Sequence, residues 1–369
     1  MKEVLDTVFR GDEPEATVSD ELLDGPLRHV VKSITVSSAA PFPFTLPFVP
    51  VRVASLSPYA EEVVRGLFPA DHDLELVLVP PPPAPEAVLA AVAGADLVLA
   101  DKRHRHRLGR DILSAMDRCQ LIQQPAVGFD AIDHRAAADA GIPVANAAGY
   151  NRDAVADWTV MAILNLARDG ARADRVMREG GWPYQRMRGR ELGALTVGIV
   201  GLGNVGNAVA TRLRAFGCRL LVTDVVPRSL PGAVALPLDE LLAEADVVTV
   251  HVPLDHDTRH LIGDAQLARM KPGAILVNAS RGPVVDEAAL VRALDAGHLG
   301  GAGLDVFEVE PLASDSPLRA FENVFMTPHA AAWTDEAESR LLDVCGANLR
   351  RVLAGQEPFN VVNGVTRRR

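Results

Sequence analysis

From Val51 onward, short apolar runs alternate with segments of helical period. Val51–Ser55 reads as a strand, Glu61–Leu67 as a helix and Leu74–Val79 as a strand. Pro80–Pro83 is a stiff break. Pro85–Ala93 reads as a helix, Asp96–Ala100 and Leu121–Ile122 as strands, Asp133–Ala140 as a helix and Pro143–Asn146 as a short strand. This alternation predicts a parallel sheet with helices on both faces. Asp153–Glu179 then reads as one long helix. Ala154, Ala156, Trp158, Val160, Ile163, Leu164 and Leu166 give it an apolar face, and Gly180-Gly181 end it. A second strand–helix series runs from Thr196 to about Thr327, and a final helix from Thr334 to Leu353 stops at Gly355.

The expected fold is α/β, with two doubly wound parallel-sheet domains, the second inserted into the first. Residues 51–150 plus 332–369 form the outer domain and 151–331 the inserted one, so the long helix leaves the outer domain and the last helix returns to it. Residues 1–50 are a separate extension. They are acidic early and then run Pro41-Phe-Pro-Phe-Thr-Leu-Pro-Phe-Val-Pro50, where four prolines exclude helix and central strand. The extension either packs on its own domain or is partly disordered, or it lays its phenylalanines on another surface, such as a second subunit. Arg367–Arg369 reads as a disordered basic tail.

Composition narrows the partners. Apolar residues make up 48% and charged residues 23%, as in ordinary soluble proteins. The formal net charge of -11 argues against nucleic acid or an anionic membrane as the main partner. Cys119, Cys218 and Cys345 are far apart, so they make neither a disulfide framework nor a CxxC metal pair. No metal site is expected. Met1–Ala16 lacks the apolar core of a signal peptide, and no apolar stretch of about 20 residues exists to span a membrane. The expected location is the cytoplasm.

The chemistry begins where the apolar run Leu195–Val200 enters Gly201-x-Gly203-x-x-Gly206 and a helix follows. A strand before, a helix after and an acid at the end of the next strand (Arg219–Thr223, then Asp224) make this a dinucleotide-binding Rossmann pattern. The glycines allow a tight turn, approach of the pyrophosphate and close helix–strand packing, and the helix N-terminus attracts the phosphates. Asn204 and Val205 lie on that turn. Asp224 is placed for the ribose hydroxyls and repels a 2′-phosphate, so NAD is favoured over NADP, while nearby Arg228 keeps NADP open. Further strand ends carry His251-Val252-Pro253 with Thr258, Ala279 with Arg281, and Asp305, in a run Leu304-Asp305-Val306-Phe307 that also reads as strand. Ligands bind beyond such carboxyl ends in open parallel sheets.

Three groups would reduce a 2-oxo acid. A guanidinium pairs with the carboxylate, a histidine protonates the carbonyl oxygen, and a carboxylate holds that imidazole. Arg281 and His329 fit the first two; Glu308 and Glu310 both fit the third.

These residues stand in four blocks: Gly198-Ile-Val-Gly-Leu-Gly-Asn-Val-Gly206, Met270-Lys-Pro-Gly-Ala-Ile-Leu-Val-Asn-Ala-Ser-Arg-Gly282, Gly303-Leu-Asp-Val-Phe-Glu-Val-Glu-Pro311 and Thr327-Pro-His-Ala330. In that order, over roughly residues 95–350, the chain resembles the D-isomer-specific 2-hydroxy acid dehydrogenase family. The resemblance implies a flavodoxin-like substrate domain around the Rossmann domain. It implies Arg281, Glu310 and His329 as the catalytic set, with Glu310 chosen over Glu308. It places Asp305 near the nicotinamide carboxamide, with Arg281 and His329 also against the cofactor. It makes Val127-Gly128 the loop whose amides hold the substrate carboxylate, and it implies a homodimer built on the long-helix region.

Some positions depart from the family pattern. Ala330-Ala331-Ala332 leads to Trp333, and the long helix carries Asp157-Trp158. Both tryptophans read as packing, with Trp333 also a candidate cap on the substrate pocket. Lys102-Arg-His-Arg-His-Arg107 reads either as a solvated loop or as a place where Lys102 or Arg103 binds a second anionic group. The leading function is NAD-dependent hydride transfer between a 2-oxo acid and an (R)-2-hydroxy acid. The rivals are phosphite oxidation, which can use the same three residues; formate chemistry, which does not need the Glu–His pair; and an NAD-sensing interaction protein like the family's co-repressors.

Overall fold

The computed structural model describes residues 50–79, 85–182 and 184–367. The extension up to Val49, Pro80–Pro83 and Arg368-Arg369 lie outside the described residues.

The first sheet consists of β1 (Val51–Ser55), β2 (Leu74–Leu78), β3 (Leu97–Leu99), β4 (Leu121–Gln123) and β5 (Val144–Ala145), in the order β2-β1-β3-β4-β5. The second consists of β6 (Thr196–Val200), β7 (Arg219–Thr223), β8 (Ala233–Ala235), β9 (Val247–Val250), β10 (Ala274–Asn278), β11 (Leu299–Leu304) and β12 (Val324–Met326), in the order β12-β11-β10-β9-β6-β7-β8. Every pairing within the two sheets is parallel. These are the flavodoxin-like and Rossmann strand orders, so the fold is two doubly wound α/β domains.

The helices are α1 (Glu61–Gly66), α2 (Pro85–Val92), α3 (Arg110–Leu113), α4 (His134–Asp139), α5 (Arg152–Ala167), α6 (Gly170–Arg178), α7 (Asn204–Ala215), α8 (Leu238–Glu244), α9 (Asp264–Arg269), α10 (Glu287–Asp295) and α11 (Asp335–Leu353). Alternate strand residues face opposite ways, so each sheet separates two cores. On the second sheet, Val197 and Ile199 pack with α5 and α7, while Val248 and Leu276 pack with α8, α9 and α10. On the first sheet, Ala54, Val98 and Ile122 face α2 and α4. Val53, Leu97 and Leu121 face Leu341, Cys345 and Leu349 of α11. The last helix therefore returns to the first sheet. Beyond it, Val361 bridges Ala145 and the Val362 amide donates to Val144 O (2.8 Å), covering the edge strand β5.

Two expectations are corrected. Asp153–Glu179 is not one helix, because α5 ends at Ala167 and Asp169 takes a left-handed conformation (φ 54°) before α6. The apolar face runs out at Leu166, and Asn165 Oδ1 caps the new start by accepting the Ala171 amide at 2.6 Å. The strand read as Leu304–Phe307 is instead β11, Leu299–Leu304, and Asp305 is the first residue beyond it. Glycines at 300, 301 and 303 dilute its hydrophobic signal. They also bring α5 close, since a Cβ at Gly303 would sit 3.2 Å from that of Ala162.

Among the described residues no helix is long and apolar enough to cross a membrane, and no group of three or more His, Cys, Asp or Glu is arranged to hold a metal.

Candidate active site

The second sheet reverses its winding between β6 and β9, and a cleft of about 1200 Å³ opens there. Gly201 leaves β6 at φ 94°, and a side chain there would meet His251 O at 2.6 Å. A Cβ on Gly206 would lie 2.0 Å from Gly201 O, so this glycine lets α7 close on the strand. A Cβ on Gly203 meets nothing within 4 Å, and the open space lies at the start of α7, where backbone N–H groups lack helical partners. This cradle fits a dinucleotide pyrophosphate. Asn204, Val205, His251, Val252, Pro253 and Ala279 line the same cleft.

Asp224 accepts the Leu202 amide (2.7 Å) and the Val226 amide (2.9 Å), and Arg228 Nε stands 3.8 Å away. It lines a side cavity of about 200 Å³ with Leu202, Pro227 and Arg228. His251 closes the turn, with Nε2 2.9 Å from Thr249 Oγ1 and Nδ1 buried without a partner among the described residues. Burial pushes its pKa down to about 4. Thr258 does not line the cleft; its hydroxyl donates to Pro253 O (2.7 Å) and builds the loop.

Beyond β10, the Asn278 side chain accepts the Ser280 amide and donates to Arg281 O, fixing the turn that presents Arg281. The Arg281 guanidinium donates to Ser280 O (2.8 Å) and to Asp130 Oδ2 (3.3 Å), directly beside Gly128. A Cβ on Gly128 would fall 1.7 Å from Arg281 Nη2, so glycine is what lets the loop approach. The loop is pinned by Asn146, which donates to Val127 O at 2.6 Å. Neither the Val127 nor the Gly128 amide is taken by an acceptor among the described residues.

Past β12, His329 sits at φ 52°. Its amide donates to Asp305 O (2.7 Å), and the buried Asp305 carboxylate accepts Thr327 Oγ1 and the amides of Ala330 (2.8 Å) and Ala331 (2.9 Å). Asp305 thus builds the turn that carries the imidazole. His329 Nδ1 is 2.7 Å from Glu310 Oε2, and Glu310 Oε1 accepts the Phe307 amide at 3.1 Å. Burial raises the Glu310 carboxyl, but the His329 hydrogen bond and charge, the Phe307 amide and Arg281 outweigh it and hold it below its usual range. A carboxylate only accepts, so Nδ1 carries a hydrogen and Nε2 is left for proton exchange. Glu308 points elsewhere, to His260 Nε2 at 2.6 Å. Spacing left the two glutamates equal; the geometry separates them.

Both candidate cations of the Lys102–Arg107 loop have partners. Lys102 pairs with Glu338 of α11, which also accepts Tyr59 Oη at 2.9 Å, so the lysine does not stand free for a second anion. Arg103 lies over Trp333, 5.7 Å from the ring centroid, and Trp333 is 67% exposed. Trp158 is packing, buried beside Phe325. Sequence reasoning missed Asp130 as the partner of Arg281, and His104, on which the charges of Arg281, Asp130, His329 and Asp101 act. Both lay inside segments already noted.

Comparison with known proteins gives the family. Residues 160–331 match the model of the D-isomer specific 2-hydroxyacid dehydrogenase, NAD binding domain. The chain is 42% identical over 261 residues to the glyoxylate reductase of Korarchaeum cryptofilum, covering 69% of this chain and 79% of that one. It is 35% identical over 318 residues to the D-3-phosphoglycerate dehydrogenase of Methanocaldococcus jannaschii, covering 85% of this chain and 59% of that one. Its fold matches the crystal structure of D-lactate dehydrogenase from Aquifex aeolicus complexed with NAD and lactic acid, with TM-score 0.73 and 31% identity over 84% of this chain and 99% of that one. The chain belongs to the D-isomer specific 2-hydroxyacid dehydrogenase family.

Proposed function

We propose that this protein interconverts a 2-oxo acid and an (R)-2-hydroxy acid with NAD(H). The observation that carries the reading is the 2.7 Å contact between His329 Nδ1 and Glu310 Oε2, with Arg281 among the charges acting on the pair. The dinucleotide, when bound at the glycine turn, supplies or takes the hydride. Arg281 and the untaken Val127 and Gly128 amides hold the substrate carboxylate. His329 Nε2 gives its proton to the carbonyl oxygen in reduction and takes it back in oxidation. Glu310 keeps the imidazole oriented and balances its charge. Asp224, just past the end of β7, supports NAD over NADP, because a carboxylate there would bind ribose hydroxyls and repel a 2′-phosphate.

The division into residues 51–150 plus 332–369 around 151–331 is supported by the return of α11 to the first sheet. A homodimer is supported by the exposed Met161, Met177, Trp182 and Tyr184 along and after α5 and α6. A monomer in light scattering at micromolar concentration would contradict it. The wide spacing of Cys119, Cys218 and Cys345, which makes no disulfide framework, supports a cytoplasmic location.

The test of the reaction is NADH oxidation with glyoxylate, pyruvate and hydroxypyruvate, followed by chiral analysis of the products. Turnover to (R)-products is expected. No turnover, or (S)-products, would overturn the reading.

A further inference from the structure

The loop between β3 and α3 is sorted by one buried carboxylate. Asp101 is 2% exposed. It accepts the Arg103 amide (3.0 Å) and the Arg105 amide (2.8 Å), and its Oδ2 lies 2.7 Å from His106 Nδ1. The acid and His106 are thereby turned inward, while Arg103, Arg105 and Arg107 are exposed.

Hydrogen bonds fix where this tip stands. Before it, Gln124 Nε2 donates to Asp101 O at 3.2 Å. After it, the Leu108 amide donates to Ala131 O (2.8 Å) and the Asp133 amide to Leu108 O (3.0 Å). Both ends of the loop are therefore stitched to the two ends of the stretch that carries Val127, Gly128 and Asp130 into the cleft. The tip flanks the carboxylate-binding loop, and Arg103 lies over Trp333, in the segment that follows His329. Arg135 of α4, just beyond Asp133, lines the cleft itself.

Charge here runs against that of the whole chain. The formal net charge is -11, so a 2-oxo acid, itself an anion, meets an average repulsion on approach. On the loop, Lys102 is matched by Glu338, and Arg105 Nε stands 3.9 Å from Asp101 Oδ2. The ring face of Trp333 leaves the Arg103 charge in place. Arg107 and Arg135 have no carboxylate partner among the described residues. A positive strip thus borders the cleft of a negative protein.

Resting on the 2-oxo acid reading above, we propose that the exposed arginines of this loop, Arg105 and Arg107 foremost, are an electrostatic guide. They concentrate the anionic substrate at the cleft without contacting it in the reacting complex. Exposed cations beside a cleft raise the local concentration of an anion, and salt screens the effect.

The test measures kcat/KM for the best-accepted 2-oxo acid of the panel above, at saturating NADH, from about 10 to about 300 mM salt. The proteins are the wild type, Arg105→Gln/Arg107→Gln and Arg105→Glu/Arg107→Glu. Two charges acting from about 10 Å are worth about threefold at the low end, and their removal by screening closes the difference at the high end. The glutamine pair is expected to start about threefold below the wild type and the glutamate pair about tenfold below, both converging on it as salt rises. Unchanged kcat and NADH affinity are expected in both. Arg281 gives every protein some salt dependence, so the difference between the slopes is the readout. A gap that stays constant across the salt range, as a damaged loop would give, overturns the guide, and so do wild-type kinetics in both pairs. No turnover of any 2-oxo acid by the wild type overturns the reaction itself, and the guide with it.

Discussion

Asp305 holds the turn at His329 with both its backbone and its side chain: its carbonyl accepts the His329 amide at 2.7 Å, and its carboxylate accepts the amides of the next two residues, Ala330 and Ala331. The left-handed backbone of His329 is thereby fixed by a residue at the end of the neighbouring strand. Asp305→Asn puts an NH2 group against N–H donors. It is expected to cost about 1–3 kcal/mol of stability and to lower kcat/KM with any accepted 2-oxo acid. Thermal unfolding and steady-state kinetics together check this, and a variant unchanged in both would remove the positioning role.

The two nearby glutamates separate cleanly. Glu310→Gln is expected to lower kcat/KM by about 10²-fold, in the range of an acid–base contribution, with NADH affinity little changed. Glu308→Gln loses only its contact with His260 and is expected to stay within about threefold of wild type. Equal effects of the two substitutions would contradict the assignment.

The glycine turn offers a second separation. Gly206→Ala drives a methyl to 2.0 Å from Gly201 O and is expected to destabilise the protein by several kcal/mol. Gly203→Ala enters open space in the protein alone. It is expected to leave the melting temperature unchanged while weakening NADH binding, because the added methyl occupies the approach of the pyrophosphate. Titration calorimetry and thermal melts read both; a Gly203→Ala variant with wild-type NADH affinity would move the cofactor elsewhere.

Acid sensitivity follows from His251. Its pKa is depressed from 6.5 to about 4 in the folded state, so between these values the unfolded chain binds a proton that the folded chain refuses. The stability it contributes is complete above pH 6.5 and is lost as pH falls toward 4. At pH 5 the loss is about 2 kcal/mol, for roughly 1.5 pH units at 1.36 kcal/mol each. Urea unfolding at pH 7.5 and 5 should show a smaller drop in His251→Gln than in the wild type. Identical drops would mean that His251 ionises freely.

Much of the site was legible because its chemistry sits at the carboxyl ends of apolar strands. Gly201, Asp224, Arg281 and His329 each follow such a run, and strand ends are easily read. What stayed hidden depends on distant or conformational partners. The break after α5 needs Asn165 to cap Ala171 and Asp169 to turn left-handed, neither of which an apolar period reports. The glycines of β11 erase the hydrophobic signal of a strand that exists because small residues fit beneath α5. Lys102 looked free because Glu338, its partner, lies 236 positions away. His104 was hidden among cations in a loop whose direction is set by the buried Asp101, and Glu310 was separable from Glu308 only by the family pattern or by coordinates.

The most direct measurement is the steady-state rate of NADH-dependent 2-oxo acid reduction in the wild type, Arg281→Ala and His329→Ala. Loss of the carboxylate-binding guanidinium or of the proton donor should each lower kcat/KM by about 10²–10⁴-fold while NADH still binds. Wild-type turnover retained in both variants would contradict the account.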